Sequence, residues 1–175
     1  MKILALFTAL LLVLSPIAEA GAGPAGAVPW APVPAGKWSW PLDPRPSVLR
    51  GFDPPAEPWL SGHRGVDLQA AHDGALVTSP AAGTVSFVGT VVDRPVITID
   101  HGNGLRSSFE PVESGLLRGA TVAAGDVVGT SLAGHCGRDP CIHWGVRRGG
   151  DYLNPLAFVM DLRPSVLLSL EPGRR

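Results

Sequence analysis

Three side chains in this sequence could together hold a divalent metal ion. His63 and Asp67 are four residues apart with Gly65 between them, and His143 lies much further along the chain. Imidazole nitrogens and carboxylate oxygens are good zinc ligands, with bonds of about 2.0–2.2 Å. Catalytic zinc typically uses three protein ligands and leaves a fourth position for water. These residue types therefore predict a hydrolytic metal site, provided that the fold brings them together.

Each of these residues also has a simpler interpretation. A histidine followed four residues later by an aspartate is common, and a surface ion pair with Arg64 nearby would explain the pattern. His143 by itself could be a half-buried strand histidine that hydrogen-bonds to the backbone. Gly65 favours the metal interpretation, because a residue without Cβ does not obstruct a close approach of the two side chains.

Both cysteines lie just before His143. The segment 141–146 has the pattern of a β-strand, so Cys141 and His143 should project from the same face. A disulfide between Cys136 and Cys141 would suit an exported protein. Alternatively, Cys141 could be a fourth zinc ligand as a thiolate, which would make a closed site without an open position.

Short strands separated by turn residues must position these side chains. Glycine and proline are abundant, with 22 and 18 residues, and long helix-forming runs are missing, which favours an all-β, mostly antiparallel fold. Asn103-Gly104 predicts a hairpin turn, because both positions tolerate positive φ. The candidate strands span 65–69, 76–79, 83–92, 95–101, 104–112 and 126–132, and a short turn is expected over 156–162.

The chain divides into four predicted segments. Residues 1–20 have the pattern of a signal peptide, with Lys2, an apolar run and a small-residue cleavage site at Ala18-Glu19-Ala20. Residues 21–37 form an Ala/Pro/Gly-rich linker, residues 38–162 one folded domain and residues 163–175 a tail. We therefore expect a secreted, extracytoplasmic protein; an uncleaved membrane anchor is the alternative.

The formal net charge is −1, which gives no electrostatic footprint for nucleic acid or for an anionic membrane. We expect no nucleic-acid partner and no membrane insertion after cleavage of the signal peptide. We also expect a monomer.

Three separated motifs resemble the lysostaphin-type (LytM-like) zinc endopeptidases of bacterial peptidoglycan. The motifs are residues 62–68, 96–106 and 142–147, and the resemblance covers roughly residues 38–162. It implies a small antiparallel β-sheet domain crossed by a groove, with one zinc ion held by His63, Asp67 and His143. It further implies that the protein acts on peptidoglycan stem peptides or cross-bridges in the cell envelope.

The sequence departs from this family at two catalytic positions. The family's two auxiliary histidines fall on Cys141 and Pro111. Glu110 or His135 could replace them. Against Glu110, strand alternation would point it to the face opposite position 111, unless Pro111 forms a bulge. Arg147 and Tyr152 are candidate groove residues, and His101 is expected to have a structural hydrogen-bonding role.

Three functions are compatible with these residues. The first is a zinc metallopeptidase of weak or altered activity that hydrolyses peptide cross-links. The second is a catalytically degenerate zinc module that binds peptidoglycan peptides or regulates other cell-wall hydrolases. The third is a structural zinc domain, which would follow if Cys141 completed the coordination.

Overall fold

The computed structural model describes residues 38–57 and 59–163. The predicted signal peptide, the linker and all but the first residue of the predicted tail lie outside these residues. Within them, no helix has both the length and the apolar character that a membrane crossing requires.

Antiparallel strands dominate the structure. The larger sheet has eight strands in the order β1-β2-β10-β6-β5-β4-β8, and β11 pairs with β10. The smaller sheet has the order β3-β9-β7. The strands are β1 (Val48–Arg50), β2 (Val66–Gln69), β3 (Leu76–Thr78), β4 (Gly83–Val91), β5 (Arg94–Gly102), β6 (Leu105–Glu110), β7 (Val112–Glu113), β8 (Thr121–Val122), β9 (Val127–Ser131), β10 (Cys141–Arg148) and β11 (Asp151–Leu153). The predicted all-β, mostly antiparallel fold is confirmed.

The two faces of the larger sheet have different compositions, because side chains alternate along each strand. One face packs into the core; its buried apolar residues on β5, β6 and β10 are Ile97, Ile99, Phe109, Ile142, Trp144 and Val146. The opposite face carries the intervening residues of the same strands, and these line a groove of about 620 Å³. Polar and charged side chains on this face are Thr98, Arg106, Ser108, Glu110, His143 and Arg147.

The predicted strand 104–112 is interrupted at Pro111. β6 ends at Glu110, and β7 begins at Val112 and pairs with β9 of the smaller sheet. Proline has no amide hydrogen to continue a strand ladder, so the chain changes sheets at this residue. The predicted turn over 156–162 instead begins with a short helix, α1 (Leu156–Val159).

The predicted hairpin between β5 and β6 has a two-residue turn, with φ of 52° at Asn103 and 75° at Gly104. His101, next to this turn, links β5 to β6 and to the segment just before β4. Its Nδ1–H donates to the Ala82 carbonyl at 3.0 Å, and its Nε2 lies 2.9 Å from the Ser107 hydroxyl. Burial lowers the pKa of His101, although the bond to Ala82 opposes this effect. The structure therefore gives His101 the hydrogen-bonding role that the sequence predicted.

The two ends of the domain meet at Trp38. Its ring centre lies 4.3 Å from that of Phe158 in α1 and 4.5 Å from that of His101. Its backbone N–H donates to the Phe158 carbonyl at 3.1 Å. These contacts lie on the core side of the sheet, because Trp38 also stacks on the buried Trp144.

Candidate metal centre

Three neighbouring strands place Asp67, His143 and Glu110 in one row. His143 on β10 is paired with Asp67 on β2 and, on its other side, with Glu110 on β6. Side chains of directly paired residues in an antiparallel sheet lie on the same face, with Cβ atoms about 4.5–5.5 Å apart. The sheet register therefore holds an imidazole between two carboxylates on the groove face.

His63 reaches this row from the loop before β2. A pair of backbone hydrogen bonds fixes the loop. The His63 N–H donates to the Asp53 carbonyl at 2.6 Å, and the Asp53 N–H donates to the His63 carbonyl at 3.0 Å. The side-chain Nδ1–H of His63 donates to the Gly51 carbonyl, also at 2.6 Å. Since a carbonyl only accepts, this bond assigns the proton to Nδ1 and leaves Nε2 as the ligand atom.

The candidate ligand atoms converge within hydrogen-bond distance of one another. His63 Nε2 lies 2.9 Å from Asp67 Oδ1 and 3.0 Å from His143 Nδ1. His143 Nδ1 lies 2.8 Å from the same carboxylate oxygen. The structure thus brings the three predicted ligands together as a group that could hold a metal ion.

This arrangement suits a bound cation. With Nδ1 of His63 protonated, the neutral ring directs the Nε2 lone pair at a carboxylate oxygen 2.9 Å away. Two lone pairs at this distance repel each other unless a proton or a metal ion lies between them. Two imidazole nitrogens and one carboxylate oxygen are the donor set that zinc accepts. The residues present therefore fit a zinc ion.

Gly65 makes the close approach possible. A Cβ at this position would lie 2.5 Å from His143 Nε2 and would also overlap the Trp144 carbonyl oxygen. Any residue with a side chain here would push β10 away from the loop that carries His63. The glycine is therefore part of the site, as its position between His63 and Asp67 indicated.

His135 joins the group from the loop before β10. Its Nε2 lies 3.1 Å from Asp67 Oδ1, and its buried Nδ1 has no hydrogen-bond partner within the described part of the chain.

A disulfide between Cys136 and Cys141 closes the loop that carries His135. Because both sulfurs are paired, the structure has no thiolate to act as a fourth ligand, and the closed site with Cys141 is ruled out here.

The surroundings of Asp67 favour its ionised form. Burial acts to raise the pKa of this carboxyl group, but hydrogen bonds from His135 and His143 outweigh burial. The pKa of Asp67 consequently lies far below its usual range. An ionised carboxylate is the form that a metal ligand requires.

Glu110 faces the groove together with His143. The expectation that alternation would turn it away from the metal face was wrong, because the register pairs Glu110 directly with His143. Its Oε1 lies 3.5 Å from Nη1 of Arg94.

Sequence reasoning missed Arg94 and the Gly51 carbonyl, since neither residue belongs to a recognisable motif. The alternation of polar residues over 106–110 was the available signal for a groove-facing Glu110.

The family assignment follows from a match across the whole site. The sequence profile of Peptidase family M23 matches residues 61–155. The chain belongs to this family. The M23 region extends from the loop that carries His63 to just beyond β11, and it includes Asp67, Glu110, His135 and His143.

Two mycobacterial proteins are similar to this M23 protein in sequence. They are uncharacterized protein Rv2891 of Mycobacterium tuberculosis and uncharacterized protein Mb2915 of Mycobacterium bovis. Each is 41% identical over 126 residues, which cover 69% of this chain and 50% of the relative. The chain therefore spans about half the length of these relatives.

Solved structures of two bacterial proteins share the fold. Helicobacter pylori Csd3 has a TM-score of 0.58 and 26% identity, covering 77% of this chain and 38% of Csd3. A zinc containing peptidase from Vibrio cholerae has a TM-score of 0.58 and 20% identity, covering 73% of this chain and 40% of that protein. At 20% identity, the second similarity shows the fold alone.

Proposed function

We propose that this M23 protein is a zinc metallopeptidase that hydrolyses peptide bonds in the stem peptides or cross-bridges of bacterial peptidoglycan. The observation that carries this proposal is the convergence of His63 Nε2, Asp67 Oδ1 and His143 Nδ1 beside a groove-facing carboxylate. Membership of a peptidase family supports it. The proposed ligands are these three residues, and one zinc ion is expected.

Zinc bound there would supply Lewis acidity, which polarises a carbonyl group and lowers the pKa of water. The chain's own residues must then manage the proton. Glu110 is the proposed general base, because its carboxylate faces the groove opposite His143. Arg94 neighbours Oε1, which leaves Oε2 to accept a proton from the attacking water and pass it to the leaving amine.

His135 is proposed as a positioning residue. Its Nε2–H donates to Asp67, and the disulfide limits the movement of the loop that carries it. Its Nδ1 is buried, so this atom is not placed to exchange a proton with a substrate in the groove. A hydrogen bond to a ligating carboxylate orients that ligand and adjusts its basicity.

The proposed cellular setting is extracytoplasmic. It rests on the signal-peptide pattern of residues 1–20 and on the disulfide, which is typical of oxidising compartments. Peptidoglycan peptides are the proposed partners, and the protein is proposed to act as a monomer at the cell envelope.

A second candidate function is a catalytically degenerate module that binds peptidoglycan peptides or regulates another cell-wall hydrolase. Cys141 and Pro111 favour it, because they stand where related peptidases are expected to have auxiliary histidines. A disulfide-bonded sulfur and a proline ring cannot transfer a proton. The metal ligands and the groove would then serve binding alone.

Hydrolysis of peptidoglycan separates the two functions. The experiment incubates residues 21–175, loaded with zinc, with purified peptidoglycan and measures new free amino groups between pH 5 and pH 9. The peptidase hypothesis requires zinc-dependent release that His63→Ala abolishes. Absence of release at every pH, with zinc bound in stoichiometric amount, would refute the peptidase and support the binding module.

A further inference from the structure

A row of positive charge crosses the groove face beyond the metal centre. Arg147 lies four residues after His143 on β10 and is paired with Arg106 of β6 and Tyr152 of β11. Arg64 adds a third guanidinium, whose central carbon lies 5.8 Å from the centre of the Tyr152 ring. These four side chains line the same groove as the candidate metal centre. We call Arg64, Arg106 and Arg147 the arginine cluster.

The charges of Arg106 and Arg147 are only partly balanced. Like charges directly opposite each other on paired strands are destabilising. Arg106 donates from Nε to Asp100 Oδ2 at 3.0 Å, which offsets one of them. Arg147 forms no ion pair with any carboxylate in residues 38–57 and 59–163. An anion bound between Arg106 and Arg147 would relieve their repulsion.

Small, uncharged residues separate the cluster from the metal centre. Gly145 on β10 is paired with Ser108 on β6, and Ser108 is paired with Thr98 on β5. The Ser108 and Thr98 hydroxyls hydrogen-bond to each other at 2.9 Å. Four strand residues at 3.3 Å each place Arg147 about 13 Å from His143, which is the length of about four residues of an extended peptide.

We infer that the arginine cluster binds a carboxylate of an extended peptide, about four residues from the bond positioned at the metal centre. Guanidinium groups bind carboxylates through paired, charge-assisted hydrogen bonds. The groove would therefore select anionic peptides over uncharged ones such as glycine chains. This inference rests on the proposed peptidase function for the position of the bond, but the carboxylate preference itself is a property of binding.

The test uses blocked five-residue alanine peptides that carry one glutamate at either the first or the last position. Each is compared with the peptide in which glutamine replaces glutamate, so that the two differ in charge and not in size. Both positions are used because a peptide can lie in the groove in either direction. Affinity is measured by calorimetry, and release of amines from peptidoglycan is measured separately.

Wild-type protein should bind one glutamate peptide at least about tenfold more tightly than its glutamine counterpart. Arg147→Gln should remove most of this preference, and the double variant with Arg106→Gln should abolish it. Arg163→Gln is the matched control, because this exposed arginine lies outside the groove and pairs with Asp161. Circular dichroism verifies that each variant is folded.

Equal affinity of wild-type protein for glutamate and glutamine peptides would overturn the inference, as would a preference that survives in the double variant. Inorganic phosphate that competes at concentrations below the glutamate peptide would also overturn it, in favour of a phosphate-bearing ligand. The two proposals fail separately. Carboxylate preference in a protein that releases no amines from peptidoglycan would refute only the peptidase, and equal affinity for both peptides in a protein that does release them would refute only the carboxylate site.

Discussion

Glu110 lies directly across the β6–β10 strand pair from His143, and both side chains line the groove. The strand register thus sets a carboxylate beside a candidate metal ligand.

Glu110→Gln should lower peptidoglycan hydrolysis by about 10²-fold or more, because glutamine keeps the shape of glutamate but cannot accept the proton. The zinc content should not change, since Glu110 is not among the candidate ligands. Parallel assays of amine release and of bound zinc measure the two effects. Glu113→Gln is the control, because Glu113 is exposed on β7. Full activity of Glu110→Gln would exclude Glu110 as the base.

His143→Ala should weaken zinc binding by about 100-fold or more, because even the partners of ligating residues contribute about 10–100-fold. Competition with a chromogenic chelator measures the change. His72→Ala, at an exposed loop histidine, should bind zinc like the wild type. Unchanged zinc affinity in His143→Ala would show that the metal is bound elsewhere.

Replacing both Cys136 and Cys141 with alanine should lower the free energy of unfolding by about 2 kcal/mol, the loop-closure contribution of a short disulfide loop. Alanine avoids burying a hydroxyl group at position 141. Zinc should remain bound, because neither sulfur is available to the metal. Urea unfolding and a zinc assay check the two results. Loss of zinc with retained folding would instead make the disulfide loop essential to the metal centre.

Burial of neutral His101 should make the free energy of unfolding decrease as the pH becomes acidic. Burial lowers the pKa of His101 below the usual value of about 6.5. The unfolded chain therefore binds this proton first, and stability is lost as the pH falls through 6.5 and below. His101→Gln removes this dependence and leaves the other titrating groups in place. Urea unfolding at pH 7.5 and pH 5.0 should show a larger loss for wild type, whereas equal losses would contradict the assignment.

Much of the site could be predicted from local sequence. The spacing of His63, Gly65 and Asp67, and the strand pattern around His143, predicted the residues that the structure brings together. The face of Glu110 could not be predicted, because it depends on which residue of β10 pairs with it. A one-residue difference in register reverses the face of every side chain on a strand.

The remaining parts of the site come from contacts between distant segments. The Gly51 carbonyl reaches His63 only because the loop bridge at Asp53 brings the two segments together. Arg94 at the start of β5 contacts Glu110 at the end of β6 at the open end of the hairpin, although the whole hairpin separates them along the chain. Backbone carbonyls and hairpin lengths leave no motif in a sequence.

The bond between the Trp38 N–H and the Phe158 carbonyl makes the folded region a nearly closed loop of chain. A fragment that starts after Trp38 or stops before Phe158 would lose one half of the stack over Trp144. The same proximity suits a circular permutant, in which a short linker joins the old ends and new ends open at the exposed Asn103-Gly104 turn. Such a protein would keep its groove while its chain began and ended at a different edge.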